Sequence, residues 1–158
     1  MSFPRAFRVT FTPTSETVAV DLVALIAATN FPIAIRSIRI WQTSDFGDAQ
    51  AEGLTINVIR GNTTNGSGGA SGTQVGVSGR EGSANVTSRV GDTTAASAGT
   101  PVNVWSDGWN VQLPYSFVFP EDEMPGTDAS LGQLIVRLGG APADAITVGC
   151  QVTVWERN

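Results

Sequence analysis

The sequence predicts an all-β fold: an antiparallel β-sandwich, jelly-roll-like, of about 8–10 short strands with a long Gly/Ser/Thr-rich excursion. Two patterns carry this expectation. Apolar residues recur at every second position in many short runs, as in Phe7, Val9, Phe11 and Leu134, Val136, Leu138, which puts one side of each run on a buried face. Turn-forming residues separate the runs, and the 18 glycines sit among many Thr, Ser, Val and Asn, a composition that suits strands and gives helices little.

Taken in order, Phe7, Val9 and Phe11 alternate with Arg8, Thr10 and Thr12, a half-buried strand that Pro13 breaks. Residues 17–22 read as further strand, and 23–29 fit either strand or one or two helical turns. Ile33 and Ile35 are odd-numbered while Ile38 and Ile40 are even, so the phase slips at Arg36-Ser37. A β-bulge there keeps all four inward. An acidic loop with Asp45, Asp48 and Glu52 follows, expected to close a hairpin onto the partner strand at 54–60, where Leu54, Ile56 and Val58 alternate with polar residues.

From about 61 to 99 the sequence thins out into an arm. In 61–82, eight of twenty-two residues are glycine, and Val75 and Val77 are the only aliphatic residues beyond alanine. Such a segment cannot offset its ordering entropy by its own burial. It is expected to be mobile alone and ordered against a neighbour, with a hairpin packed on its own sandwich as the alternative. Short strands fit 75–77 and 85–90. Beyond the arm, 102–105 resumes strand character, and Asp107-Gly108 signals a tight turn between Trp105 and Trp109. Tyr115, Phe117 and Phe119 alternate between Pro114 and Pro120, the mark of an edge strand. Leu134, Val136 and Leu138 form another strand, and 146–155 the last.

At 158 residues the chain (1–158) fits one domain able to bury about two-thirds of its unfolded surface. All nine basic residues are arginine; net charge is −5 and pI about 4.5, against a nucleic-acid footprint. There is no histidine, which removes the commonest general base and metal ligand and rules out a Ser-His-Asp triad. The lone Cys150 cannot pair within the chain and reads as a small buried hydrophobe. The longest apolar run, 22–28, is far short of the ~20 residues of a membrane span. No leader pattern precedes the first strand, so synthesis in the cytoplasm is expected.

Asp45, Asp48 and Glu52, and likewise Glu121, Asp122, Glu123 and Asp128, carry oxygens that suit a hard cation. Their spacing misses the calcium-loop pattern, and they read as solvated turns. The glycine-rich 61–72 lacks the Lys of a phosphate loop. No catalytic residue, cofactor ligand or metal ligand is assigned, and the chain is expected not to be an enzyme. Four tryptophans, Trp41, Trp105, Trp109 and Trp155, could stack on sugars, as in carbohydrate-binding modules, or cover a subunit contact, where Trp is enriched. Trp41 and Trp155 fall out of phase with their inward neighbours and are expected to face outward.

The passage Gln42-Thr43-Ser44-Asp45-Phe46-Gly47-Asp48-Ala49-Gln50, then Arg60-Gly61-Asn62-Thr63-Thr64-Asn65-Gly66-Ser67-Gly68-Gly69, and Ala141-Pro142-Ala143-Asp144-Ala145-Ile146-Thr147, resembles a group of small proteins of bacterial viruses and prophages. The resemblance implies a virion structural protein, most like capsid decoration proteins, which clamp neighbouring major capsid protein subunits and are often homotrimers. It implies a place on the capsid surface of a virion after synthesis in the host cytoplasm, with no nucleic-acid or membrane partner. A glycan-binding tail, fibre or head-fibre module is the other expectation. The residues expected to touch a partner are Trp41, Trp105, Trp109 and Trp155, with Asn65, Gly68, Arg80 and Arg89 of the arm.

Overall fold

The computed structural model describes residues 4–44 and 52–157. Twelve strands and no helix occur among them: β1 (Arg5–Glu16), β2 (Asp21–Ala27), β3 (Ile33–Gln42), β4 (Gly53–Asn62), β5 (Ala70–Ser71), β6 (Gln74–Gly76), β7 (Val86–Asp92), β8 (Val102–Asn110), β9 (Tyr115–Val118), β10 (Gly126–Thr127), β11 (Gln133–Leu138) and β12 (Ile146–Glu156). They form two antiparallel sheets. The first runs β10-β3-β12-β1-β6, with β9 also on β3; the second runs β5-β7-β2-β11-β4-β8.

Eight strands make nested pairs: β1 with β12, β2 with β11, β3 with β9 and β4 with β8. First pairs with last and each next strand with the next from the end, which is a ribbon rolled on itself. The contacts β12–β3 and β11–β4 close the roll. This is the jelly-roll sandwich that the alternation predicts.

The core lies between the sheets. Phe7, Val9, Ile38, Ile40, Val152 and Val154 come from the first sheet, and Leu22, Leu25, Ile56, Val58, Leu134 and Val136 from the second, all essentially inaccessible. Each such side chain stabilises the fold by about 1.5–3 kcal/mol. Cys150 is one of these buried residues, and burial pushes its thiol pKa up. The bulge expected at Arg36-Ser37 is present. Opposite β12, Thr153 pairs with Ser37 and Val154 with Ile35, so Arg36 is the extra residue.

Several expectations are corrected. β3 and β4 do not form a hairpin; they lie in opposite sheets. Asp45 and Asp48 of the acidic loop lie outside the described residues. The segment 17–20 is not strand; β1 ends at Glu16 and β2 starts at Asp21, and the ambiguous 23–29 is strand as far as Ala27. Asp107-Gly108 does not turn: β8 runs straight through it, paired with Ile56 and Thr55 of β4, and the chain reverses at residues 110–113. Asp107 is held in the strand by its neighbour, accepting a hydrogen bond from the Tyr115 hydroxyl at 2.6 Å.

The arm packs on its own sandwich, not free of it. It leaves β4 and returns beside itself, Thr64 against Ser97 and Ser67 against Thr94. Gly61 and Gly99 face each other at its neck with φ of 108° and 73°. A Cβ on Gly61 would lie 2.2 Å from the Thr100 carbonyl oxygen, so only glycine fits. The ribbon then crosses the outer face of the second sheet, where Ala96 covers Ala24 and Ile135. Its remaining strands extend both sheets, β7 beside β2 and β6 beside β1.

Candidate interaction surfaces

Three buried carboxylates hold the arm, and each has an arginine. Asp21, 1% exposed, accepts from the Arg137 guanidinium and from the Ala96 amide at 2.8 Å. Asp92 accepts from Arg89 Nε at 2.8 Å and Nη2 at 2.6 Å, and from the Gly69 amide at 3.1 Å. Glu156 accepts from the amides of Asn85 at 2.5 Å and Val86 at 2.9 Å, with Arg5 3.4 Å away. Charge-assisted hydrogen bonds in a dry setting contribute more than neutral ones, about 1.5–3 kcal/mol each. They replace the apolar burial the arm lacks. Sequence reasoning missed all three, although Asp21 inside Val20-Asp21-Leu22 and Glu156 after Val154-Trp155 are lone charges in apolar strands.

The arm residues expected to touch a partner are therefore mostly engaged at home. Arg89 is bound to Asp92. Asn65 accepts from the Gln133 side chain at 2.6 Å. Gly68 is exposed, but a Cβ there would meet the Thr93 hydroxyl at 2.2 Å. Arg80 alone projects freely, from a tip turn in which the Glu81 carboxylate accepts from the amides of Ser78 and Arg80. Those bonds lower its pKa to about 2. Trypsin is expected to cut the isolated protein after Arg80 and to spare Arg89, as read by mass spectrometry of a limited digest. Equal cutting at both sites would mean the arm is not docked.

The four tryptophans divide. Trp109 is 2% exposed and belongs to the core, its indole N–H donating to the Leu113 carbonyl at 2.8 Å, which corrects its assignment as a partner contact. Trp105 of β8 is half-buried and packs tilted against Phe117 and edge-to-face against Phe119, at centroid distances of 5.0 and 5.2 Å, joining the edges of the two sheets. Trp41 and Trp155 are half-buried on the outward-facing positions of the first sheet, as expected. Trp41 lies against Gly149, where a Cβ would meet its ring at 2.6 Å, and the Arg36 guanidinium sits 5.3 Å from the Trp155 ring centroid.

The side closed by Trp105 carries exposed apolar residues. β8 is the last strand of its sheet and has no described neighbour beyond it. Val102 on β8, Val118 on β9, Leu113 in the turn between them and Leu131 after β10 are 49–61% exposed. Val102 and Leu131 line a groove of about 340 Å³ with Arg60 and Thr63. On the opposite side, Val75 and Val77 of the arm are 60% and 43% exposed.

On that opposite side the sandwich is also incompletely closed. β6 covers β1 only at Phe7–Val9. From Thr10 to Glu16 no described strand lies beside β1 on this edge, and a cleft of about 770 Å³ opens between it and the turn 68–73. Small residues line it, among them Thr10, Thr12, Gly72, Thr73 and Thr93. Glu16, only 4% exposed, is the one charged residue among the described lining. No hydrogen bond or ion pair from another described residue reaches its carboxylate. Sequence offered no signal for it: Pro13 reads as the break after the first strand, whereas β1 runs through it to Glu16.

Burial raises the Glu16 pKa above its ordinary 4.5. An acid with a raised folded pKa holds its proton better in the fold than in the unfolded chain. Its charge therefore costs stability above that raised value, and the cost fades as pH falls through it toward 4.5. Glu16→Gln is expected to stabilise the protein at neutral pH, with the advantage vanishing in acid. Thermal unfolding at the two pH values checks this, and a variant less stable than wild type at neutral pH contradicts it.

Among the described residues no three of His, Cys, Asp or Glu converge as a metal cluster, and no helix is long and apolar enough to cross a membrane. Compared with protein-family models, curated proteins and solved structures, the chain matches none.

Proposed function

We propose that the protein is a structural component of a bacteriophage virion, a capsid decoration protein that binds and stabilises the major capsid protein shell without catalysing a reaction. One observation carries the reading: a nine-residue edge strand, β8, with no described neighbour beyond it, together with the exposed Val102, Leu113, Val118 and Leu131. Proteins usually blunt long sheet edges, and exposed apolar surface such as the groove Val102 and Leu131 share marks contact surfaces. The resemblance of 42–50, 60–69 and 141–147 to small phage and prophage proteins supports the same assignment.

Apart from Val18 between β1 and β2, the apolar exposure falls on two opposite sides, at β8–β9 and at β6. Two different patches favour head-to-tail contacts, which close into a ring when the rotation permits. A homotrimer is the assembly proposed, seated on the virion surface after synthesis in the host cytoplasm. The test is addition of purified protein to shells that lack it. Saturable co-sedimentation and a raised shell melting temperature are expected. Val118→Asp is expected to weaken binding at least about tenfold by burying an unpaired charge in the contact, with unchanged unfolding of the free protein. Absence of saturable binding would refute the assignment.

A further inference from the structure

We infer that the cleft between the β1 edge and the 68–73 turn is a docking channel for an extended peptide segment that presents an arginine to Glu16. The inference does not rest on the virion assignment. It begins with an interrupted ladder. β6 pairs with β1 at Phe7, Arg8 and Val9, and at Thr73 the chain turns away toward β7. Beyond that point the place a strand would occupy beside Thr10–Glu16 is the 770 Å³ cleft. An extended backbone entering there continues the line of β6 and adds to a sheet edge, a common mode of peptide capture.

The walls suit a backbone. The lining from Gly68 to Thr73 has no side chain larger than threonine, so a main chain can approach the turn closely. Pairing along β1 is limited in reach. The register against β12 slips between Phe11 and Thr14, and Pro13 has no N–H. These devices stop indiscriminate edge pairing and leave recognition at the far end to Glu16.

Glu16 sets the chemistry of the occupant. It is almost wholly buried, lines the cleft and receives no donor from the described chain, whereas Asp21, Asp92 and Glu156 each have an arginine and backbone amides. A cationic donor is what this carboxylate lacks. No arginine lines the cleft, so nothing there repels such a guest. A guanidinium fits better than an ammonium because its planar fork engages both carboxylate oxygens.

The test is a random nine-residue peptide display library selected on the full-length wild-type protein. Enriched peptides are expected to carry arginine, to bind Glu16→Gln at least about tenfold more weakly, and to lose binding to Thr73→Trp, which fills the channel from an exposed position. Thermal unfolding of both variants shows that they are folded, and neither substitution removes a hydrogen bond of the Asp21, Asp92 or Glu156 carboxylates that hold the arm. Peptides that bind all three proteins equally, or no enrichment, would overturn the inference. Sedimentation of wild type against Glu16→Gln tests the other occupant: self-association lost in the variant would assign the channel to a second copy and overturn the partner peptide.

Discussion

Replacing Asp21 with alanine is expected to destabilise the protein by about 3–5 kcal/mol, the cost of breaking a buried ion pair by removing one partner. The carboxylate is 1% exposed and receives two guanidinium donors of Arg137 together with the Ala96 amide. Without it Arg137, 21% exposed, keeps only a 3.3 Å contact to the Ala96 carbonyl. The loss also has a direction in space. Ala96 seals Ala24 and Ile135 on the outer face of the second sheet, so its release exposes that patch and loosens the ribbon. Hydrogen exchange at Ala96 and Ser97 should accelerate before global unfolding. A loss below about 1 kcal/mol, the range of exposed ion pairs, with unchanged exchange, would show that the arm is held by something other than this carboxylate.

Trp109→Ala is expected to cost a similar amount, about 3–5 kcal/mol, because a large buried ring leaves a cavity that the sheets cannot fill. The ring sits in the core, and its N–H donates to Leu113, fixing the reversal after β8. Trp155→Ala, on a half-buried outward position beneath Arg36, should cost less, near the typical value of about 1 kcal/mol for a single substitution. Denaturant unfolding of both variants measures the contrast. Equal, small losses would place Trp109 at a surface and restore it as a contact residue.

How far the chain could be read from its sequence depends on the range of the physics involved. Alternation is local, and it located the core strands and even the bulge at Arg36, where Ile35 and Ile38 change phase. It carries no record of partners. Ile38 and Ile56 alternate equally well whether β3 and β4 pair or face each other across the core, and they face each other. Asp107-Gly108 is a turn dipeptide by propensity, yet the pairing with β4 and the Tyr115 bond keep it extended. The arm was hardest. Its composition is that of a segment that cannot pack, and composition was a sound guide to what it lacks. What holds it lies far away along the chain: Asp21 reaches Ala96, and Glu156 reaches Asn85 and Val86. The Glu16 cleft was invisible for the same reason, since it is made by two segments that meet only in the fold.

The proposed role rests on a copy number. Quantitative mass spectrometry of particles purified from cells that carry the gene should find this protein at an abundance comparable to the major capsid protein, as a decoration layer requires. Its absence from purified particles would contradict the account, and a few copies per particle would move it from the shell to a tail or vertex.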